Sequence, residues 1–225
     1  MDALYETFEA VVAALEQLEV NYIVTGGTLL GAIWQHGILF CDDDIDIAII
    51  GKGAYNKVSQ NLQALLGKDF QYVIAPWEGG DRLRPKKMPS VFLDLFCFYR
   101  YETMEQLIDV IGVKKNGQQQ SDDYIEGITS YIRKCSISQS ETMSLFPFWH
   151  FSTRKAVEMW TKEVYREHEL FPLSHNLKFG PLEGIKGPKM PVLLLKQAFG
   201  VDCFDVYYQS GSHKVLKEQT NKKTK

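Results

Sequence analysis

The sequence predicts an α/β chain of the α+β kind, with a small mixed sheet flanked by helices and a mostly helical C-terminal lobe. Three observations lead there. Residues 42–50 read Asp-Asp-Asp-Ile-Asp-Ile-Ala-Ile-Ile, and a strand's period of two puts Asp42, Asp44 and Asp46 on one face and Ile45, Ile47 and Ile49 on the other. Residues 90–98, Ser-Val-Phe-Leu-Asp-Leu-Phe-Cys-Phe, form a nearly continuous apolar run with one carboxylate in the middle, the pattern of a strand buried on both faces. Around these runs, apolar residues recur at helical spacing, so helices and strands alternate about one small sheet.

Taken in order, Leu4, Phe8, Val11, Val12, Leu15 and Leu18 form the core-facing stripe of an amphipathic N-terminal helix. Tyr22 to Val24 is a first strand. It runs into Thr25-Gly26-Gly27-Thr28-Leu29-Leu30-Gly31, where a helix begins with Thr28 as its cap. The acidic strand follows and is broken by Gly51-Lys52-Gly53; Val58, Leu62 and Leu65 mark another helix, and residues 70–75 another strand. Arg82-Leu83-Arg84-Pro85-Lys86-Lys87 reads as a basic loop before the Asp94 strand. The polar stretch 112–123, with three successive Gln, divides a core over 1–111 from a lobe over 124–213 packed on it. In that lobe, residues 124–138 are undecided between strand and helix, and the aromatics of 146–151 either wall a ligand or fill the core. Residues 214–225 carry five lysines against one Glu and read as a frayed basic tail.

Composition narrows the function classes. With 225 residues and 45% hydrophobic content, the chain can bury one good core. A net charge of −3 and a pI near 6.0 leave no footprint for double-stranded nucleic acid. Cys41, Cys97, Cys135 and Cys203 are scattered without metal-site spacing and read as reduced thiols; the five histidines also lack ligand spacing. No transmembrane run and no basic leader before an apolar block is visible, so the expectation is a soluble, cytoplasmic protein.

Three carboxylates on one strand face beside a buried hydrophobic row need compensation. Like charges that close raise one another's pKa, and a hard divalent cation with oxygen ligands is the usual way to hold them ionised. The run therefore reads as a metal site built on a strand, against the alternative of a solvated acidic edge. It is not an EF-hand: Ile47 and Gly53 stand where that loop needs Gly and Glu. Asp94 in its apolar strand needs a cation too, either the same metal or a buried Arg. The glycine turn fits neither the dinucleotide fingerprint nor the Walker loop. Its glycines can take positive φ and let backbone N–H groups approach an anion, although a plain strand-to-helix turn needs no ligand. Beside the acidic strand, it reads as a phosphate site.

These pieces in this order resemble the LicD/fukutin family of nucleotidyltransferase-fold phosphotransferases. The resemblance rests on Gly26-Gly27-Thr28-Leu29-Leu30-Gly31-Ala32, then His36-Gly37-Ile38, then Asp42-Asp43-Asp44-Ile45-Asp46-Ile47, then Phe92-Leu93-Asp94-Leu95-Phe96. Phe171-Pro172-Leu173, Phe179-Gly180 and the segment from Pro191 to Gly200 are a weaker echo of the family's closing helix. The resemblance implies a nucleotidyltransferase-like core over 1–111. In it Asp44 and Asp46 bind Mg²⁺ or Mn²⁺, Asp94 completes the site, Asp42 matches the leading acid, and Gly26, Gly27 and Thr28 contact the donor. It implies transfer of a phosphoalcohol, such as phosphocholine or ribitol phosphate, from a cytidine-diphosphate (CDP) donor to a sugar or glycan hydroxyl. Two other readings stay open, a nucleotidyltransferase acting on a small molecule or RNA acceptor and a non-catalytic nucleotide- or glycan-binding relative.

The sequence departs from the family pattern in two places. Trp34 and Gln35 follow Gly31-Ala32-Ile33 where the family commonly has an Arg, and Phe40-Cys41 replaces a Pro-Trp before the acids. Arg82 and Arg84 are the candidate substitutes, since guanidinium forks suit phosphate oxygens; the alternative is a solvated basic loop.

Overall fold

A seven-stranded mixed sheet organises the protein, and its central pair carries the candidate site. The computed structural model describes residues 2–40, 42–76, 78–112, 118–137, 146–205, 208–209 and 214–215, with the backbone alone for 133–137 and the last two pairs. Helix α1 (Asp2–Gln17) leads to β1 (Tyr22–Val24), α2 (Gly26–Trp34) and β2 (Asp44–Ile50). Helix α3 (Lys52–Leu66) and a 3-10 turn then precede β3 (Phe70–Val73), β4 (Asp81–Pro85) and β5 (Phe92–Tyr101). Strands run in the order β1-β2-β5-β4-β3, and β2 and β5 lie parallel at the centre. The α/β class is as expected, and so is each of these helices and strands apart from β4.

Strand β4 corrects the basic loop. Arg82 and Arg84 alternate with fully buried Leu83, and β4 is hydrogen-bonded to β3 on one side and β5 on the other. Charge and Pro85 hid a strand whose inward positions are Asp81 and Leu83.

Period-two alternation divides the sheet between two cores. Ile45, Ile47, Ile49, Leu83, Leu93 and Leu95 face α1 and α3. On the other face, Ala48, Ile50, Phe96 and Phe98 pack under helices α4 (Met104–Ile111) and α6 (Arg154–Met159). Residues 124–137 of the stretch undecided from sequence are helical, in α5 (Asp122–Ile137), which also takes in the end of the polar stretch. The C-terminal half is helix-rich, yet it also extends the central sheet, because β6 (Phe148–Phe151) pairs with the far half of β5 and β7 (Tyr165–Arg166) pairs with β6. All four β6 side chains are buried, and Phe151 meets Phe96, Phe98 and Trp160 edge-on or tilted, so this aromatic run is core.

After α7 (Glu167–Leu170), the hairpin of β8 (Ser174–Phe179) and β9 (Leu182–Gly187) packs near β1 and α2. Helix α8 (Pro191–Phe199) then ends at Gly200, whose φ of 110° suits glycine. A last strand pair, β10 (Tyr208–Gln209) and β11 (Lys214–Val215), is antiparallel. Cys97 and Cys203 are buried free thiols. Residues 113–117 of the polar stretch and nearly all of the basic tail lie outside the described residues. Among the described residues, no helix is long and apolar enough to cross a membrane.

Candidate active site

The acids collect where β2 and β5 begin. Parallel register pairs Asp46 with Asp94, antiparallel register pairs Asp94 with Arg82, and one row of side chains thus crosses β2, β5 and β4 on the same face. Carboxylate oxygens of Asp44, Asp46 and Asp94 lie within 4.8 Å of one another, and those of Asp42, Asp43 and Asp44 form a second such group. Sequence alternation thus located Asp44 and Asp46 correctly. Asp42 precedes the strand and reaches the site from the turn after Leu39, to whose carbonyl its N–H donates at 2.9 Å.

Crowding and burial act together on these groups. Burial first, then the Asp42 and Asp94 charges, pushes the Asp44 carboxyl up to about 8. Asp46 is held well above the usual carboxylate range by burial and then by Asp44, Asp42, Asp94 and Glu163. Asp94, only 4% exposed, is raised by burial and drawn back by Arg82. Arg82 donates through Nε to Oδ1 and through a terminal nitrogen to Oδ2, both at 2.7 Å, and its guanidinium lies 3.8 Å from the centre of the Phe92 ring. Of the two counter-charges considered for Asp94, the Arg is therefore present. Arg82 is committed to Asp94, whereas Arg84 donates to the Gln71 side chain at 3.0 Å.

The glycine turn is explained by what lies against it. Gly26 has φ +54°, and a methyl group added there would sit 2.9 Å from Asp46 Oδ2; at Gly27 it would overlap the Asp42 carboxylate. Both glycines let the acids rest on the backbone at the start of α2, where the helix dipole favours negative charge. A methyl at Gly31 would overlap the carbonyl of Gly37, which accounts for the spacing between that glycine and His36-Gly37. Thr28 is not the cap. Thr25 occupies that position, and Thr28 lies inside α2 with its Oγ1 accepting from Asp46 N–H at 2.8 Å. Thr25 N–H donates to the Asp46 carbonyl at 3.2 Å, so the turn is tied to the acidic strand on both sides of one residue.

Sequence reasoning missed Glu163. This side chain, 4% exposed, accepts from Thr25 Oγ1 at 2.7 Å, from the Tyr165 hydroxyl at 3.3 Å and from Gly26 N–H, and burial pushes it up to about 7 despite those bonds. No motif marks it, because it is a lone Glu far from the acids in sequence; the short apolar segment Val164-Tyr165 after it was the available signal of burial. A cavity of about 460 Å³ adjoins it, walled by Tyr131, Trp160, Lys162 and Phe199 among others.

Oxygen-only donors from carboxylates suit a hard divalent cation, and Asp44, Asp46 and Asp94 are placed so that they could hold one. No curated protein matches the chain. Residues 19–132, which hold the turn, the acidic strand, Arg82 and Asp94, match the model of the LicD/FKTN/FKRP nucleotidyltransferase domain, and the chain belongs to that family.

Proposed function

We propose that the protein is a metal-dependent phosphotransferase. It moves a phosphoalcohol from a CDP-activated donor to a hydroxyl of a sugar or glycan. Family membership supports transferase chemistry. The observation that carries the reading is the convergence of three carboxylates within 4.8 Å at the start of two parallel strands, beside a helix N-terminus. Asp44, Asp46 and Asp94 would hold Mg²⁺ or Mn²⁺, with Asp42 at the rim. A cation bound there supplies Lewis acidity toward the donor's phosphate oxygens.

The chain's own residues do the rest. The acceptor oxygen forms a bond to the phosphorus of the phosphoalcohol as the bond from that phosphorus to CMP breaks, and CMP leaves with the electron pair. The hydroxyl proton passes to a carboxylate of the cluster, with Asp94 the candidate acceptor because it stands in the middle of the row between Asp46 and Arg82. Arg82 fixes the Asp94 carboxylate and adds positive charge beside the phosphates. Amides of Gly27 and Thr28 supply further donors, Gly26 N–H being taken by Glu163. The cavity beside Glu163, with its aromatic walls and Lys162, offers room for a sugar ring.

A panel of CDP-alcohols with sugar acceptors and Mg²⁺ or Mn²⁺ tests this by CMP release. Acceptor-dependent release is expected, and Asp94→Asn should lower it by about 10³-fold or more with the fold intact. Donor binding with no release from any pair would favour a non-catalytic relative. Trp34, which ends α2 where the family commonly places an Arg, is the specific observation on that side.

A further inference from the structure

We propose that Glu163 is a positioning residue of the acidic site: its buried carboxylate anchors the Thr25–Gly26 turn on which Asp46 is seated. This rests on the reading of the acids as a cation site. The chain of contacts is continuous. Glu163 accepts from the Thr25 hydroxyl at 2.7 Å, from Gly26 N–H and from the Tyr165 hydroxyl, which itself lies 3.0 Å from the Thr25 hydroxyl. Thr25 N–H holds the Asp46 carbonyl, Thr28 Oγ1 receives Asp46 N–H, and the Asp46 carboxylate rests against Gly26. The β6–β7 region, far along the sequence, thereby fixes the backbone of the acid strand through one side chain.

A buried carboxylate near enough to Asp46 to raise it is costly unless it does something a neutral side chain cannot do as simply. A carboxylate presents lone pairs to three donors at once, and here all three belong to the turn or to its neighbour Tyr165. Val or Leu in its place would take the acceptor away from Gly26 N–H and leave the Thr25 hydroxyl only the Tyr165 hydroxyl to bond. Glu163 stands outside both groups of carboxylates that could hold a cation, so it acts through Asp46.

Mn²⁺ affinity, read from the electron paramagnetic resonance signal of the free ion, tests the proposal in wild type, Glu163→Gln and Glu163→Ala. Gln keeps an acceptor oxygen toward the turn and should bind Mn²⁺ within about threefold of wild type. Ala should weaken binding about tenfold or more while the far-ultraviolet circular dichroism stays native. If Glu163→Ala does not fold, Thr25→Val removes the hydroxyl at nearly constant volume and should weaken binding several-fold. Wild-type affinity in Glu163→Ala would overturn the proposal, as would equal losses in Gln and Ala, which would assign the effect to charge alone. Should wild type itself bind no Mn²⁺, the cation reading fails, and amide hydrogen exchange over residues 25–28 decides this one. Faster exchange in Ala than in Gln supports the anchor, and identical exchange contradicts it.

Discussion

Two halves of one sheet face have opposite characters. Along β2 and β5 the same rows carry Asp44, Asp46 and Asp94 at the strand starts and Ala48, Ile50, Phe96 and Phe98 farther on. The backbone and the register are continuous across the boundary. What changes is the cover: helices and the aromatic residues Phe151 and Trp160 close over the far half, whereas a helix N-terminus, Arg82 and other acids surround the near half among the described residues. The comparison teaches that the fold spends packing on one end of the parallel pair and accepts electrostatic strain at the other.

Asp81 sharpens the contrast. It is more buried than any of the site acids, at 1% exposed, but lies on the opposite face of the sheet and accepts from the Ser59 hydroxyl at 3.1 Å, from Ala75 N–H at 2.8 Å and from the Tyr72 hydroxyl. A carboxylate supplied with donors is structural. Asp44 and Asp46 face other carboxylates instead.

The largest effect on stability belongs to the packed half. Phe98→Ala should destabilise the protein by about 3–5 kcal/mol in chemical denaturation, since Phe98 is fully buried and meets Phe151 and Tyr165 edge-on or tilted. Asn at Asp44 should instead stabilise the metal-free protein, and the two substitutions together should act additively if the halves are independent.

The glycine seat gives a smaller effect of a different kind. Gly27→Ala should weaken Mn²⁺ binding roughly tenfold, about 1.4 kcal/mol, because the new methyl group displaces the Asp42 carboxylate. Calorimetric titration reads the loss directly. Unchanged affinity would show that Asp42 is dispensable to the cation.

The smallest effect is the pH dependence of the metal-free fold. Asp44 holds its proton in the folded state up to about 8 but in the unfolded chain only to about its ordinary 3.8. Between those values the folded state binds more protons, so stability falls as pH rises through the window. His150 works the other way: burial lowers it to about 3 from 6.5, so its contribution grows as pH rises between those values and is constant above them. Glu163, raised to about 7, adds to the fall below that pH. Between about pH 7 and pH 9 the acids therefore act without the histidine, and a loss of about 1 kcal/mol is expected, reduced in Asp44→Asn.

The near half of the face was legible in the sequence because chemistry is written there in a strand's period. Asp44 and Asp46 alternate with isoleucines, and Asp94 stands alone among apolar neighbours. Arg82 was found as a cation but given the wrong setting, since a charged strand that exposes one face looks like a loop until its pairing is known. Thr28 was placed on the right turn with the wrong task, because a threonine three residues into a helix and one at its cap look alike in sequence. Glu163 was illegible for a plainer reason: its partners in the glycine turn are about 140 residues away, and only the fold brings them together. The aromatic run of β6 was undecided between ligand wall and core, and register with β5 decides it for core.

The central claim is that the strained half of the face is a cation site, and metal-dependent thermal stability tests it most directly. Mn²⁺ or Mg²⁺ should raise the melting temperature of the wild-type protein by several degrees through preferential binding to the folded state. In the Asp44→Asn, Asp46→Asn double variant, which keeps side-chain volume and removes two of the converging charges, the metal-free protein should melt higher and the metal-induced rise should vanish. An equal rise in both proteins would contradict the account, because the ion would then be bound somewhere other than these acids.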